Sequence, residues 1–181
     1  MIVRPATEAD SEALAAIYGD AVLHGFGTFE EVPPSPEEMS ARRRAVAERG
    51  LPYLVAEDGG EVLGFAYAAP FRPRAAYRYT LEDSVYVAPQ AKGRGVGRAV
   101  LSAVIAACEA LGVRQLMAVI GDSGNVGSIG LHRSLGFEQV GIGRSVGFKH
   151  GRWVDIVHMQ KALNGGDARL PDAPGITLTG H

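Results

Sequence analysis

The chain has 181 residues, 46% of them hydrophobic and 21% charged, with a formal net charge of -2, which suits one domain with its own core and offers no basic field for nucleic acid. The single cysteine, Cys108, excludes an internal disulfide or a cysteine-built zinc site, and with five scattered histidines no metal is expected. No stretch reaches the roughly 18 apolar residues of a membrane helix, and MIVRPATEAD lacks a cleavable apolar leader, so a cytoplasmic protein with no membrane partner is expected.

Residues 2 to 6 read as a short strand, and Thr7-Glu8-Ala9-Asp10 is a Ser/Thr-x-x-acid helix start. Leu14, Ile17, Tyr18, Ala21 and Val22 recur at helical spacing until Gly25 and Gly27 break the pattern. After a loop to Pro34, Ser35-Pro36-Glu37-Glu38 supplies a cap, a first-turn proline and early acids for a second helix running to Gly50. Its Arg42, Arg43 and Arg44 read as a solvated face. Tyr53 to Glu57 and Val62 to Ala68 flank an Asp58-Gly59-Gly60 turn and predict a hairpin. An irregular stretch from Pro70 to Tyr79 precedes a strand over Thr80 to Val87, where alternation puts Glu82, Ser84 and Tyr86 on one face.

Ala88 to Gly95 is a loop leading into a largely apolar helix from Val96 to Leu111, closed by Gly112. Leu116 to Ile120 has the continuous apolar character of a sheet interior. A turn over Gly121 to Gly124 and a helix from Val126 to Leu135 follow. The last strands are predicted at Phe137 to Ile142, Ser145 to Phe148 and Trp153 to Met159, with His150-Gly151 as the final turn. Helices separate some strands and hairpins join others, so residues 1–163 are expected to form one α/β domain around a sheet that is part parallel and part antiparallel. Residues 164–181 read as a tail with no core of its own.

The segment Gln90-Ala91-Lys92-Gly93-Arg94-Gly95-Val96-Gly97-Arg98 lies between a strand and a helix. Glycines there let the backbone approach a ligand, and the amides and dipole of a helix start favour an anion, so the loop reads as a diphosphate cradle rimmed by Lys92, Arg94 and Arg98. It is not a dinucleotide fingerprint, because Arg98 and Val100 stand where a third glycine is required, and it lacks the Gly-Lys-Ser/Thr ending of a P-loop.

Gln90, Gly93 and Gly95 match the Gln/Arg-x-x-Gly-x-Gly/Ala signature, and here the sequence resembles the GCN5-related N-acetyltransferase (GNAT) superfamily. Asn125-Val-Gly-Ser128-Ile-Gly-Leu-His132-Arg-Ser-Leu-Gly136-Phe137 is similar to the superfamily's later Asn-x-x-Ala/Ser-x-x-x-Tyr-x-x-x-Gly-Phe motif, with histidine in place of tyrosine. The resemblance covers residues 2 to about 162. It implies acetyl-CoA as cosubstrate, with its diphosphate on Lys92, Gly93, Arg94, Gly95, Val96, Gly97 and Arg98. Its pantetheine arm would run along Val85, Tyr86 and Val87, with further contacts from Asn125, Ser128 and His132. Thr80-Leu-Glu82-Asp-Ser-Val-Tyr86-Val, Arg72-Pro-Arg74-Ala-Ala-Tyr77 and Val146-Gly-Phe-Lys149-His-Gly-Arg-Trp153 together resemble a narrower group, the phosphinothricin and methionine sulfoximine or sulfone acetyltransferases. That group implies a homodimer, an acceptor loop carrying Arg72, Arg74 and Tyr77, and an aromatic, Phe29, beside the substrate.

Acetyl transfer to an amine needs a neutral nucleophile, a stabilised oxyanion and a proton for the leaving thiolate. Glu82 is the expected base; the competing reading is an ion pair with Arg74 or Arg78. Amides near Ser84 to Val87 are expected to hold the oxyanion. His132, with a packed helix residue or a coenzyme contact as its competing readings, and Tyr86, with a satisfied sheet aromatic as its competing reading, remain open as the proton donor. The arginines suit a small anionic amino acid, and Gly121 at a strand end would offer its carbonyl to the amine. Lys149 and Trp153 are assigned to the last hairpin or a dimer face. The competing functions are acetylation of another amine, such as a peptide N-terminus or a polyamine, and acyl-CoA binding or sensing without catalysis.

Overall fold

The structure, a computed structural model, describes residues 1–178. Its sheet has seven strands in the order β1-β2-β3-β4-β5-β7-β6. They are β1 (Ile2–Pro5), β2 (Tyr53–Asp58), β3 (Glu61–Pro70), β4 (Thr80–Val87), β5 (Gln115–Gly121), β6 (Glu138–Lys149) and β7 (Arg152–Ala162). Among the described residues only β4 and β5 run parallel, and the mixed α/β sheet agrees with the sequence reading. Helices α1 (Ser11–His24) and α2 (Pro36–Ala47) cover one face, and α3 (Val96–Ala110) and α4 (Val126–Ser134) the other.

Each helix begins where local chemistry dictates. Ser35 Oγ accepts the Glu38 amide while the Glu38 carboxylate accepts the Ser35 amide, so α2 starts as a capping box with Pro36 in its first turn. The Thr7 signal starts only a short 3-10 turn, because Asp10 is turned back to accept Thr7 and two nitrogens of Arg4, and α1 begins one residue later. Val96, Val100, Leu101, Val104, Ile105 and Cys108 of α3 are all buried against the sheet. They pack with Leu81 and Leu116, both fully buried, while Val55 and Phe65, also fully buried, fill the other face under α1 and α2; burial of one such large side chain is worth about 1.5–3 kcal/mol.

One expectation is corrected. The predicted strands over Phe137 to Ile142 and Ser145 to Phe148 are a single strand, β6, whose register against β7 slips at two places. At the second slip Ser145 adopts φ 52° and donates its amide to Asp155 Oδ1 at 2.8 Å, so a β7 carboxylate holds a bulge where the sequence suggested a break. The segment after Ala162 lies against the domain. Leu163 is buried, and Asn164 donates to the carbonyls of Glu109 and Val113. Buried Arg114 donates to Gly166 O and Arg169 O, Tyr79 Oη donates to Ala173 O, and the Ile176 amide reaches Arg78 O. Residues 179–181 of the expected tail lie outside the described residues.

Candidate active site

Parallel pairing of β4 with β5 runs from Thr80↔Gln115 to Asp83↔Ala118 and stops there. Both strands continue, β4 to Val87 paired only with β3, and β5 to Gly121 paired only with β7. The splay opens a cleft at the carboxyl ends of two parallel strands, where an α/β sheet characteristically binds its ligand. A cavity of about 650 Å³ fills it, walled by Ser84–Val87 on one side and Ala118–Gly121 on the other. Along Ser84 to Val87 the edge of β4 that faces β5 has no strand partner, the arrangement that accepts an extended chain as an added strand.

The glycine loop closes one end of this cavity. Gly93 and Gly95 take φ 77° and 81°, a left-handed backbone that side chains disfavour, and open space surrounds both. Gly95 is the N-cap of α3, no side chain caps it, and the first turn carries no acid. The amides that begin α3 are thus left for an anion. Lys92, Gly93, Gly95, Val96, Gly97 and Arg98 line the cavity, whereas Arg94 turns away toward Asp58 at 3.6 Å. A diphosphate carrying an extended amide arm fits this donor set and the open strand edge.

From the opposite wall, α4 adds Asn125, Ser128 and His132 to the lining. Asn125 also caps the helix, accepting the Ser128 amide at 3.1 Å. His132 Nε2 lies 2.9 Å from Asp83 Oδ2, and its Nδ1 lies 2.8 Å from the Ser128 carbonyl. A carbonyl only accepts, so Nδ1 carries a hydrogen, and a further proton lies between Nε2 and the carboxylate. Burial works against the His132 imidazolium, but the bond to Asp83, its charge and the Ser128 carbonyl outweigh it and raise the pKa. Burial likewise raises the Asp83 carboxyl, opposed by His132. The two share one proton as a neutral pair. Asp83 Oδ1, also buried, has no hydrogen-bond partner among the described residues.

Successive β4 residues face opposite ways, so Glu82, Ser84 and Tyr86 lie on the α1 and α2 side. There Tyr86 packs edge-on against Tyr18 with centroids 4.8 Å apart and stacks near Phe65, while Tyr53 stacks between Phe65 and Tyr67. Glu82 is half-buried and makes no ion pair among the described residues, with either Arg74 or Arg78. Burial pushes its carboxyl pKa up and Asp83 adds to this, while the Arg72 guanidinium pulls the other way. Tyr86 keeps its proton, its pKa driven well up by burial.

Of the remaining expected substrate residues, Gly121 lines the cavity; Phe29, Arg72, Arg74, Tyr77 and Glu82 do not. Arg72 lies over the Phe71 ring and donates to Phe71 O, Phe71 meets Tyr77 edge-on, and Arg74 is exposed. Gly121 O accepts the Asn125 side chain at 3.4 Å. Asp83 escaped the sequence reading, although a second acid beside Glu82 with a helix histidine downstream was its signal. So did Gly25, Phe26 and Gly27 as cavity lining, since a glycine-broken loop announces flexibility before it announces a wall.

The acetyltransferase (GNAT) family model matches residues 19–137, and the chain belongs to this family of acetyltransferases. It is 56% identical over 170 residues to the phosphinothricin N-acetyltransferase of Alcaligenes faecalis, covering 94% of this chain and 86% of that one. The L-methionine sulfoximine/L-methionine sulfone acetyltransferase of Pseudomonas paraeruginosa is 43% identical over 163 residues, 90% of this chain and 94% of its own. Among solved structures, the phosphinothricin acetyltransferase of Sinorhizobium meliloti in complex with AcCoA superposes with a TM-score of 0.93 at 46% identity, covering 98% of this chain and 96% of that one.

Proposed function

We propose that this chain is an acetyl-CoA-dependent N-acetyltransferase acting on the α-amine of a small amino acid of the phosphinothricin, methionine sulfoximine or methionine sulfone kind. The observation that carries the reading is the end of β4–β5 pairing at Asp83↔Ala118 beneath an uncapped, glycine-led helix start. The names of the relatives support the acceptor class.

Acetyl-CoA supplies a thioester carbonyl and a thiolate leaving group. Around it, the amides of Gly93 to Gly97 with Lys92 and Arg98 hold the diphosphate, and the open edge of Ser84 to Val87 holds the amide arm and the developing oxyanion. Glu82 accepts the amine proton; a carboxylate with a raised pKa is better matched to that task. Arg72, Arg74 and Tyr77 hold the acceptor's anionic end, beside Phe29. A thiolate with a pKa of roughly 8.5 leaves with little acid help. Tyr86 is assigned the proton for sulfur, because both ring nitrogens of His132 already face partners. His132 is assigned to fix α4 against β4.

The reading includes residues 1–163 as the catalytic domain and the later residues as a tail laid upon it. Among the described residues no helix is long and apolar enough to cross a membrane, and a cytoplasmic location belongs to the proposal. A homodimer is supported by β6, an edge strand along which Val140, Ile142, Val146 and Phe148 are exposed with Trp153 of β7 beside them. Release of free thiol from acetyl-CoA across phosphinothricin, methionine sulfoximine, methionine sulfone, lysine, spermidine and an alanyl peptide tests the proposal. Turnover confined to the first three supports it, and turnover confined to the last three overturns it.

A further inference from the structure

Lys149, the last residue of β6, is among the most deeply buried side chains of the domain at 1% exposure. A lysine so placed usually faces a carboxylate, yet this ammonium donates to two backbone carbonyls, Gly25 O at 2.9 Å and Thr28 O at 2.8 Å. Both belong to the connection between α1 and α2, more than a hundred residues away in sequence. Gly25, Phe26 and Gly27 of that connection line the cavity.

The seat beneath this loop is shaped for it. A Cβ on Gly121 would collide with the Phe26 carbonyl, and one on Gly147 with the Phe29 ring. The Arg152 guanidinium lies 3.9 Å over the Phe26 ring and pairs with Asp122 at 2.6 Å. At the far end Tyr18 Oη and Thr28 Oγ1 are 2.9 Å apart. The end of β5 and the β6–β7 hairpin therefore grip the loop together, through one cation–carbonyl clamp from Lys149 and two places cleared of side chains at Gly121 and Gly147. Removing a hydrogen-bonded buried cation also leaves two carbonyls without a donor, which is why the loop's position depends on this one residue.

We propose that Lys149 is a positioning residue for the acceptor amine, fastening the loop of residues 25–31 over the cavity so that Phe26, with the Phe29 ring seated against Gly147, completes the acceptor side. This rests on the N-acetyltransferase reading. The measurement compares wild type with Lys149→Met, which keeps the length and removes the ammonium, and with Lys149→Gln, which keeps one donor group. Steady-state kinetics with phosphinothricin are read beside acetyl-CoA affinity by calorimetry and hydrogen exchange at the amides of residues 25–31. The acceptor KM is expected to rise about tenfold or more in Lys149→Met and less in Lys149→Gln, with acetyl-CoA affinity held within about twofold and exchange accelerated in the loop. An acceptor KM within twofold of wild type in Lys149→Met overturns the proposal. Should that variant fail to fold, the same result in Lys149→Gln overturns it. Wild type that binds no acetyl-CoA or releases no thiol would instead sink the functional reading, and loop exchange unaltered by Lys149→Gln would then count against the clamp.

Discussion

Asp83 of β4 and His132 of α4 meet at 2.9 Å where the two parallel strands part, their side chains only 1% and 3% exposed. The bond joins a strand wall of the cleft to a helix wall. Because the pair shares one proton, it enters the folded state without net charge, which limits its desolvation cost.

The His132 shift has a direct consequence for stability. Its folded pKa lies above the ordinary 6.5, so its contribution is complete below pH 6.5, where unfolded histidine is also protonated, and is lost as pH rises through the folded value. The raised Asp83 pKa acts in the same direction. Urea denaturation of wild type should show stability falling above pH 6.5 with a slope approaching about 1.4 kcal/mol per pH unit. In Asp83→Asn that slope should shrink, with a loss of about 3–5 kcal/mol from breaking the buried pair.

Glu82 faces the α1 and α2 side, half-buried and, among the described residues, free of any ion pair, which is the condition for a base that can both take and release a proton. Glu82→Gln should lower kcat by about 10²–10⁴-fold with little change in acetyl-CoA affinity. Since burial lifts the Glu82 pKa, kcat/KM of wild type should fall on an acid limb centred above the ordinary glutamate value of 4.5, and that limb should vanish in the variant. Stopped-time thiol release over pH 4 to 8 reads both.

At Gly95 the backbone sits at φ 81°, and forcing a side chain into such a conformation costs about 1–3 kcal/mol. Gly95→Ala should therefore weaken acetyl-CoA binding by about tenfold or more while the acceptor KM at saturating acetyl-CoA stays close to wild type. Isothermal titration separates the two quantities.

The arginine loop divides on the structure. Both arginines are exposed, and of the two it is the Arg72 guanidinium that pulls the Glu82 carboxyl down. Arg72→Ala should raise the acceptor KM by about ten- to a hundredfold, since a charge-assisted hydrogen bond is worth about 1.5–3 kcal/mol, and Arg74→Ala should raise it less. A matched pair of saturation curves with phosphinothricin decides the order.

How much of this was readable in advance follows from how far apart in sequence the deciding contacts lie. Helix α3 and the glycine loop at its start are legible because a glycine loop, an N-terminus and an apolar stripe are local patterns spanning one segment. Glu82 on a strand face was legible from alternation alone. The Asp83–His132 bond was not, because it joins residues 49 apart and depends on where β4 and β5 cease to pair. The sequence places Lys149 in the last hairpin, where it lies, but nothing local shows that its ammonium reaches the carbonyls of Gly25 and Thr28. The bulge at Ser145 escaped for the same reason: its holder, Asp155, comes from the neighbouring strand.

The most direct test is thiol release from acetyl-CoA by the purified chain with phosphinothricin and with methionine sulfone, run in parallel on wild type and Glu82→Gln. Stoichiometric N-acetylated product from wild type, nearly abolished in the variant though it still binds acetyl-CoA, is the result this account predicts. Equal turnover by the two proteins, or acetyl-CoA binding without product from either acceptor, would contradict it.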